Sequence, residues 1–434
     1  MVIAPLTLAP RSFLASLFAA AVAAADPLNG IRTHLPARPK GRTVVVGAGK
    51  GAAQMAAALE TLWDGPLEGV IVTRYGYGCP LARLELLEAA HPVPDANGLA
   101  AAERLKRAIA PLGPDDLVIA LICGGGSALL PAPPTGMTLE DEIYLNRQLL
   151  ACGAPISAMN VVRKHLSTIK GGRLAALTRA PVISLIVSDI PGDNPAHVAS
   201  GPTVPDASTR HQALEIVRTY GLRLPQTALD HLNSPAADAP HPDDPAFARD
   251  RHHIIASASV SLEAAALAAE AAGVRAAILS DSIEGEARDV AGVHAALARE
   301  IAAKDRPFPK PVVLLSGGET TVTMKSQGVQ PTGRGGRNGA FALAMALGIA
   351  GHDIEAGHGI EVLAADTDGI DGTENNAGAF VDGTSIIRLK QLGLDGAALL
   401  DAHDSYSAFE ALGDLFETGP TGTNVNDFRA ILIL

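Results

Sequence analysis

A chain of 434 residues exceeds what one hydrophobic core ordinarily organises, so two domains are expected. Apolar residues make up 47% and aromatic residues only 3%, so the interior is filled by Ala, Val, Ile and Leu, as in α/β proteins with aliphatic sheets. The formal net charge of −12 argues against nucleic acid or an anionic membrane as the main partner.

In chain order, Ser12 to Ala25 is an apolar run ending in Ala-Ala-Ala-Asp, a pattern shared with secretory leaders. Arg11 is the one cation before it, and the run leads directly into Asp26-Pro27. It is too short to span a bilayer, and we read it as an opening amphipathic helix. Thr43–Val46 is a β-branched strand followed by a Gly-rich turn and a helix over Ala52–Leu62. Val70–Thr73, Leu117–Ile122 and Val182–Val187 are further strands. Strand, turn and helix in repetition predict βαβ units and a mainly parallel sheet.

Between Thr203 and Arg251 the chain becomes rich in Pro, Asp and His, most of all at Ala236–Asp244. This predicts a junction, with domains over 1–240 and 241–434. Strands follow at Ile254–Ala256, Ala276–Leu279, Val312–Leu315 and Glu361–Ala364. The architecture expected is two α/β domains. Cys79, Cys123 and Cys152 have no paired spacing, which fits buried thiols in a reducing compartment.

Ligands of open α/β sheets bind outside the carboxyl ends of the strands, and the polar motifs fall there. Gly47-Ala48-Gly49-Lys50-Gly51-Ala52 follows the first strand and opens a helix. It matches G-x-G-x-x-A formally, but the acid expected at the end of the next strand is replaced by Thr73-Arg74. The arginine leaves an NADP reading open. What remains is a helix start with backbone N–H groups and a lysine, suited to phosphate or carboxylate. Gly124-Gly125-Gly126-Ser127 ends another strand, and its glycines let backbone N–H groups form a nest for anionic oxygens. Ser127 is read here as part of that cradle rather than as a nucleophile, since it lacks a G-x-S-x-G frame.

Arg163, Lys164, Lys170 and Arg173 are four cations within eleven residues. They are either solvated helix charges or, for Arg163 and Lys170, phosphate contacts. Asp189 and Asp193 stand in a stiff turn, and such hard oxygen ligands suit Mg²⁺ held with nucleotide phosphates; for Asp193 ordinary Asx-turn chemistry is an equal alternative. Glu319 closes the strand end Ser316-Gly317-Gly318-Glu319-Thr320. Arg334 and Arg337 lie among four glycines, and guanidinium groups suit phosphoryl or carboxylate oxygens. Asp366, Asp368 and Asp371 form a carboxylate cluster for Mg²⁺ or a substrate hydroxyl. Anion cradle, cations, metal ligands and a proton acceptor are together what phosphoryl transfer requires.

The stretches VVGAGKGAAQMA, ICGGGSALLPAP, MNVVRKHLSTIKGGRLA, SDIPGDNPAHVASGPT, LSGGETTVT, GRGGRN and AADTDGIDGT, in this order, resemble the glycerate 2-kinase family, whose C-terminal domain is called MOFRL. The resemblance implies an N-terminal Rossmann-like domain, a C-terminal MOFRL-type α/β domain and an active site in the cleft between them. It implies ATP-dependent conversion of D-glycerate to 2-phosphoglycerate with a divalent cation. With the charge and the cysteines, the expectation is a cytoplasmic enzyme without a nucleic-acid or membrane partner, a homodimer left open. It points to Lys50 and Arg334 as the main catalytic cations and, less firmly, to Asp189, Glu319 and the Asp366–Asp371 group. On this basis Asp189 orients or deprotonates the hydroxyl, and Arg337 and Asp368 bind substrate. Gly47, Gly49, Gly124, Gly125, Gly126, Ser127 and Glu319 bind ATP, and Asp189, Asp193 and Asp366 bind the metal. Members of the family also carry the label hydroxypyruvate reductase, so an NAD(P)H-dependent reductase is the alternative.

Overall fold

The computed structural model describes residues 9–323, 333–352 and 359–434, and the chain divides into two compact units. One spans residues 27–255, and the other joins the chain up to Asp26 with 256–434. The junction therefore falls at 255/256 rather than at 240. The reason is that the segment after the Pro-rich stretch adds one more strand to the first sheet. The opening helix also belongs with the second unit.

In the first unit the strands are β1 (Thr43–Ala48), β2 (Glu68–Arg74), β3 (Glu85–Ala89), β4 (Leu117–Ile122), β5 (Val182–Val187) and β6 (Arg251–Ala256). Their spatial order is β3-β2-β1-β4-β5-β6, and the pairs among β1 to β5 are parallel. This is the Rossmann order, with its topological switch between β1 and β4. β1 and β4 are buried along their full length, as strands covered by helices on both faces must be.

The second unit contains β7 (Arg275–Glu286), β8 (Val312–Thr321), β9 (Ile360–Asp366), β10 (Gly378–Asp382), β11 (Leu415–Phe416) and β12 (Asp427–Ile433), in the order β11-β10-β9-β12-β8-β7. β7 and β8 are parallel and the remaining pairs antiparallel. Glu319 thus lies inside β8, not in a loop after it.

The helices needed below are α1 (Pro10–Ala24), α2 (Ala52–Leu62), α3 (Gly126–Leu129), α4 (Ile156–His165), α5 (Ala258–Ala271) and α6 (Arg337–Gly348). α1 buries Phe13, Leu14, Leu17 and Phe18 against α5 and against Leu315, Leu363, Phe428 and Leu432 of the second sheet. Each such side chain contributes roughly 1.5–3 kcal/mol of burial. Arg11, at the start of the helix, reaches Glu361 at 2.8 Å, Asp382 at 3.1 Å and Asp414 at 2.5 Å. The opening apolar run is therefore a core helix of this unit. Among the described residues, no single helix is long and apolar enough to cross a membrane.

At the start of β5, Asp250 accepts the Val182 N–H at 2.9 Å. Burial pushes its carboxyl up to about 6. A carboxyl with a raised folded-state pKa favours the folded state at low pH and loses that contribution as pH rises through its folded value. Stability is therefore expected to fall between about pH 4 and about pH 6 on this account. Asp250→Asn keeps the acceptor without the charge, and thermal melts across that range should show the dependence flattened.

Candidate active site

The loops after β1 and β4 meet at the topological switch point. The Lys50 N–H donates to the Gly124 carbonyl at 2.9 Å, and the Thr73 hydroxyl donates to the Lys50 carbonyl at 3.1 Å. The first loop is closed to ligands along its backbone. The N–H groups of Gly49, Lys50, Gly51 and Ala52 already donate to Val72 O, Gly124 O, Cys123 Sγ and Gly49 O. The expected anion cradle at this helix start is thus corrected: its donors are used inside the protein. Gly47 and Gly49 are also tightly packed. A Cβ on Gly47 would lie 2.8 Å from Ile71 Cδ1, and one on Gly49 2.3 Å from Cys123 Sγ.

The second loop differs. Gly125 is left-handed (φ 81°), and among the described residues no acceptor pairs with the N–H groups of Gly124, Gly125 or Ser127. Consecutive unclaimed amides around an αL residue make a nest for an anionic oxygen. The Gly126 N–H is turned back to Cys123 O at 3.3 Å, so this residue serves the turn instead. A Cβ there would meet Ala199 at 2.7 Å. The Asp189 carboxylate covers Gly124 so closely that a Cβ would fall 1.8 Å from Oδ2.

Lys50 stands beside this nest, its Cγ 3.1 Å from where a Gly125 Cβ would be. Among the described residues no carboxylate pairs with its ammonium. The other cations that drew attention in the sequence are occupied. Lys170 is buried with Glu142 at 3.0 Å and Leu130 O at 2.8 Å, Lys164 pairs with Asp206, and Arg173 donates to the carbonyls of Lys164 and Ala237. Arg163 holds Asn146 at 2.9 Å. The charge cluster at 163–173 is therefore neither solvated nor a phosphate contact; it ties loops together inside the unit.

His91 is a residue the sequence reading missed. Its Nε2 lies 3.1 Å from the Gly125 Cβ position, on the same side as Lys50. Burial first, then the charges of Lys50 and Arg74, push its pKa down to about 4, so the imidazole is neutral near pH 7. The dipeptide His91-Pro92 after β3 was the available signal, but β3 itself was not recognised. Asp193 lies two residues beyond Pro191 with φ 49°, in the left-handed region, and is half-buried.

In the second unit Arg337 opens α6 and is fully engaged. Nε meets Asp427 at 2.6 Å, Nη1 meets Glu319 at 2.9 Å and Nη2 meets Asp366 at 2.7 Å. Three carboxylates around one guanidinium leave a negative surround, so Arg337 does not stand ready for a substrate carboxylate. Glu319 and Asp366, expected at nucleotide and metal, are partners of Arg337 in this structure. Burial pushes the Asp366 carboxyl up while Arg337 opposes that shift. Asp371 accepts the N–H groups of Asn338 at 2.9 Å and Gly339 at 2.7 Å, and burial pushes it up to about 6. Asp368 accepts the Ile370 N–H at 2.9 Å, ordinary Asx-turn chemistry. Arg334 lies over the Tyr406 ring at 4.0 Å, with Nη2 on Glu374 at 2.7 Å, and remains about half exposed. Among the described residues no group of three or more His, Cys, Asp or Glu side chains is arranged to hold a metal ion.

Comparison with known proteins agrees with this layout. Residues 13–233 match the model described as a domain of unknown function (DUF4147), and residues 312–427 match the MOFRL family. A glycerate 2-kinase of Pyrococcus horikoshii is 40% identical over 91% of this chain and 88% of its own. The chain belongs to the glycerate 2-kinase family. A solved glycerate kinase from Thermotoga maritima superposes with a TM-score of 0.87 at 35% identity, covering 98% of this chain and 99% of that one. An Agrobacterium vitis relative, 50% identical over 98% of this chain and 94% of its own, carries a provisional hydroxypyruvate reductase name.

Proposed function

We propose that the protein phosphorylates D-glycerate, moving the γ-phosphoryl group of ATP to the C2 hydroxyl and releasing 2-phosphoglycerate and ADP. The observation that carries this reading is the crevice beyond β1 and β4. Among the described residues, Lys50 has no carboxylate counter-ion, and it stands next to amides of Gly124, Gly125 and Ser127 that no acceptor claims. Such a site attracts phosphate oxygens and is fitted to the charge that grows on them during transfer. Lys50 neutralises that charge, and the nest orients the phosphates. Asp189, laid over Gly124, accepts the hydroxyl proton. Neutral His91 adds a donor or acceptor without adding charge.

The described residues do not by themselves form a metal centre. A magnesium ion delivered with nucleotide phosphates needs only one or two protein carboxylates, and Asp189 and Asp193 are the ones on this loop. Arg334 enters as a second cation on the strength of the family resemblance and its exposed guanidinium edge. Cys79, Cys123 and Cys152 are all unpaired thiols, which supports a cytoplasmic setting.

The reductase reading is favoured by the name of the Agrobacterium vitis relative. Against it stands the G-x-G-x-x-A loop, whose amides would have to cradle a dinucleotide pyrophosphate and are already bonded to Val72, Gly124 and Cys123. The test is a coupled assay of purified protein with ATP, Mg²⁺ and D-glycerate, adding enolase without mutase. Enolase-dependent product is expected. Absence of ADP together with NAD(P)H oxidation by hydroxypyruvate would replace the kinase by the reductase.

A further inference from the structure

We propose that Ser127 is a specificity residue whose hydroxyl oxygen accepts a hydrogen bond from the glycerate hydroxyl that is not phosphorylated. This rests on the glycerate kinase reading and departs from the expectation that the Ser127 side chain binds phosphate.

Ser127 Oγ lies 2.9 Å from Ser200 Oγ, and distance alone leaves either as donor. Ser200 Oγ also lies 3.0 Å from Asn160 Oδ1. The orientation of the Asn160 amide is set from two sides. Arg163 Nη1 approaches Oδ1 at 3.4 Å, and a guanidinium can only donate. On the other side the amide nitrogen faces the His197 carbonyl at 3.5 Å, which can only accept. Flipping the amide would place like groups together at both contacts. Asn160 therefore presents an acceptor to Ser200, and the Ser200 proton goes there. Ser127 must then donate to Ser200, since a hydroxyl has one proton and two lone pairs.

The consequence is that the Ser127 hydroxyl has only lone pairs left to offer a ligand. Lone pairs repel phosphate oxygens and welcome a hydroxyl proton. The backbone N–H of the same residue keeps its place in the nest, so the amide and the side chain of Ser127 face different partners. Ser200 is held for this purpose. It is 1% exposed, left-handed at φ 60°, and its backbone is pinned by bonds to His197 O at 3.0 Å and from Gly171 N–H at 3.1 Å. A non-glycine residue kept in that conformation carries backbone strain, which positioning a hydroxyl accounts for.

The test compares D-glycerate with D-lactate, which keeps the carboxylate and C2 hydroxyl but lacks the C3 hydroxyl. Wild-type enzyme is expected to prefer D-glycerate, measured as a kcat/KM ratio, or as relative competitive inhibition where lactate turnover is too slow. Ser127→Ala should narrow that ratio by roughly tenfold or more, because the acceptor is gone. Ser200→Ala should narrow it as well, because the Ser127 proton is released to face the ligand. Asn160→Asp should retain it, since a carboxylate oxygen still accepts from Ser200 and Arg163. Thermal melts report whether each variant is folded, and Ser127→Ala with Asn160→Asp decide the matter if Ser200→Ala is not. Variants that lower turnover of both substrates equally, leaving the ratio intact, would overturn the proposal in favour of a purely structural hydrogen-bond chain. A wild-type protein that forms no ADP from D-glycerate overturns the kinase reading instead, which keeps the two failures separate.

Discussion

Lys50→Ala is expected to lower kcat with D-glycerate and ATP by roughly 10²–10³, the loss typical when a donor aimed at transition-state charge is removed. The melting temperature should stay close to wild type. Both expectations come from one feature: the Lys50 ammonium has no carboxylate partner among the described residues, so truncation breaks no ion pair. The loop is held by its backbone, through the bonds to Gly124 O and from the Thr73 hydroxyl, and the variant keeps both. Lys50→Arg should recover little. The stem runs alongside Gly125 and His91, where a planar fork replaces a compact ammonium poorly. Steady-state kinetics beside a thermal melt decide this. Near-normal turnover in Lys50→Ala would remove the residue from the mechanism, and a large fall in melting temperature would make its role structural.

Asp427→Ala is expected to cost about 3–5 kcal/mol, the scale for breaking a buried charge pair from one side. The Asp427 carboxylate takes Arg337 Nε at 2.6 Å and Asn338 Nδ2 at 2.9 Å on one oxygen. On the other it takes the Thr320 N–H and hydroxyl, each at 3.0 Å, and Arg429. Arg337 retains Glu319 and Asp366 when Asp427 is lost, but Arg429 does not retain a carboxylate. It is 0% exposed and lies over the Phe341 ring at 4.8 Å, so its charge would be left buried and uncompensated. Denaturant titration should show the loss, and adding Arg429→Met should recover part of it by exchanging the stranded charge for apolar volume. A change below about 1 kcal/mol would mean that water reaches this site and screens Arg429.

The parallel half of the molecule was legible because its signals are local. β1, β4 and β5 are unbroken aliphatic runs ending at glycine or aspartate, and the motifs sit where such runs stop. β3 and β12 were not read as strands. Glu85-Leu86-Leu87-Glu88-Ala89 is an edge strand with little alternation, and β12 carries Asp427 and Arg429 at its start. The site was legible only in part, because the fate of a charge depends on residues far along the chain. Nothing local to Lys170 announces Glu142, nor to Lys164 Asp206, yet these pairs turn apparent phosphate ligands into internal ties. The same holds for Arg337, whose partners come from β8, β9 and β12. Conversely, Lys50 could be placed at a strand end from sequence, but its lack of a carboxylate partner among the described residues could not. Gly49 and Gly125 read alike as loop glycines; only the fold shows one packed on Cys123 and the other opening a nest.

The pairing of α1 with the last third of the chain has a consequence for biosynthesis. Phe13, Leu14, Leu17 and Phe18 leave the ribosome early, while Leu363, Phe428 and Leu432, which cover them, are made last. The Rossmann-like unit can complete its own sheet in the interval, because every strand of that sheet lies within residues 43–256. The greasy face of α1 must wait through that time, a natural binding site for a chaperone that shields nascent apolar segments. Cutting the chain at residue 255 would strand the helix on the wrong fragment. Fragments that respect the order of the gene would therefore be stickier than a permuted chain whose α1 is attached after Leu434.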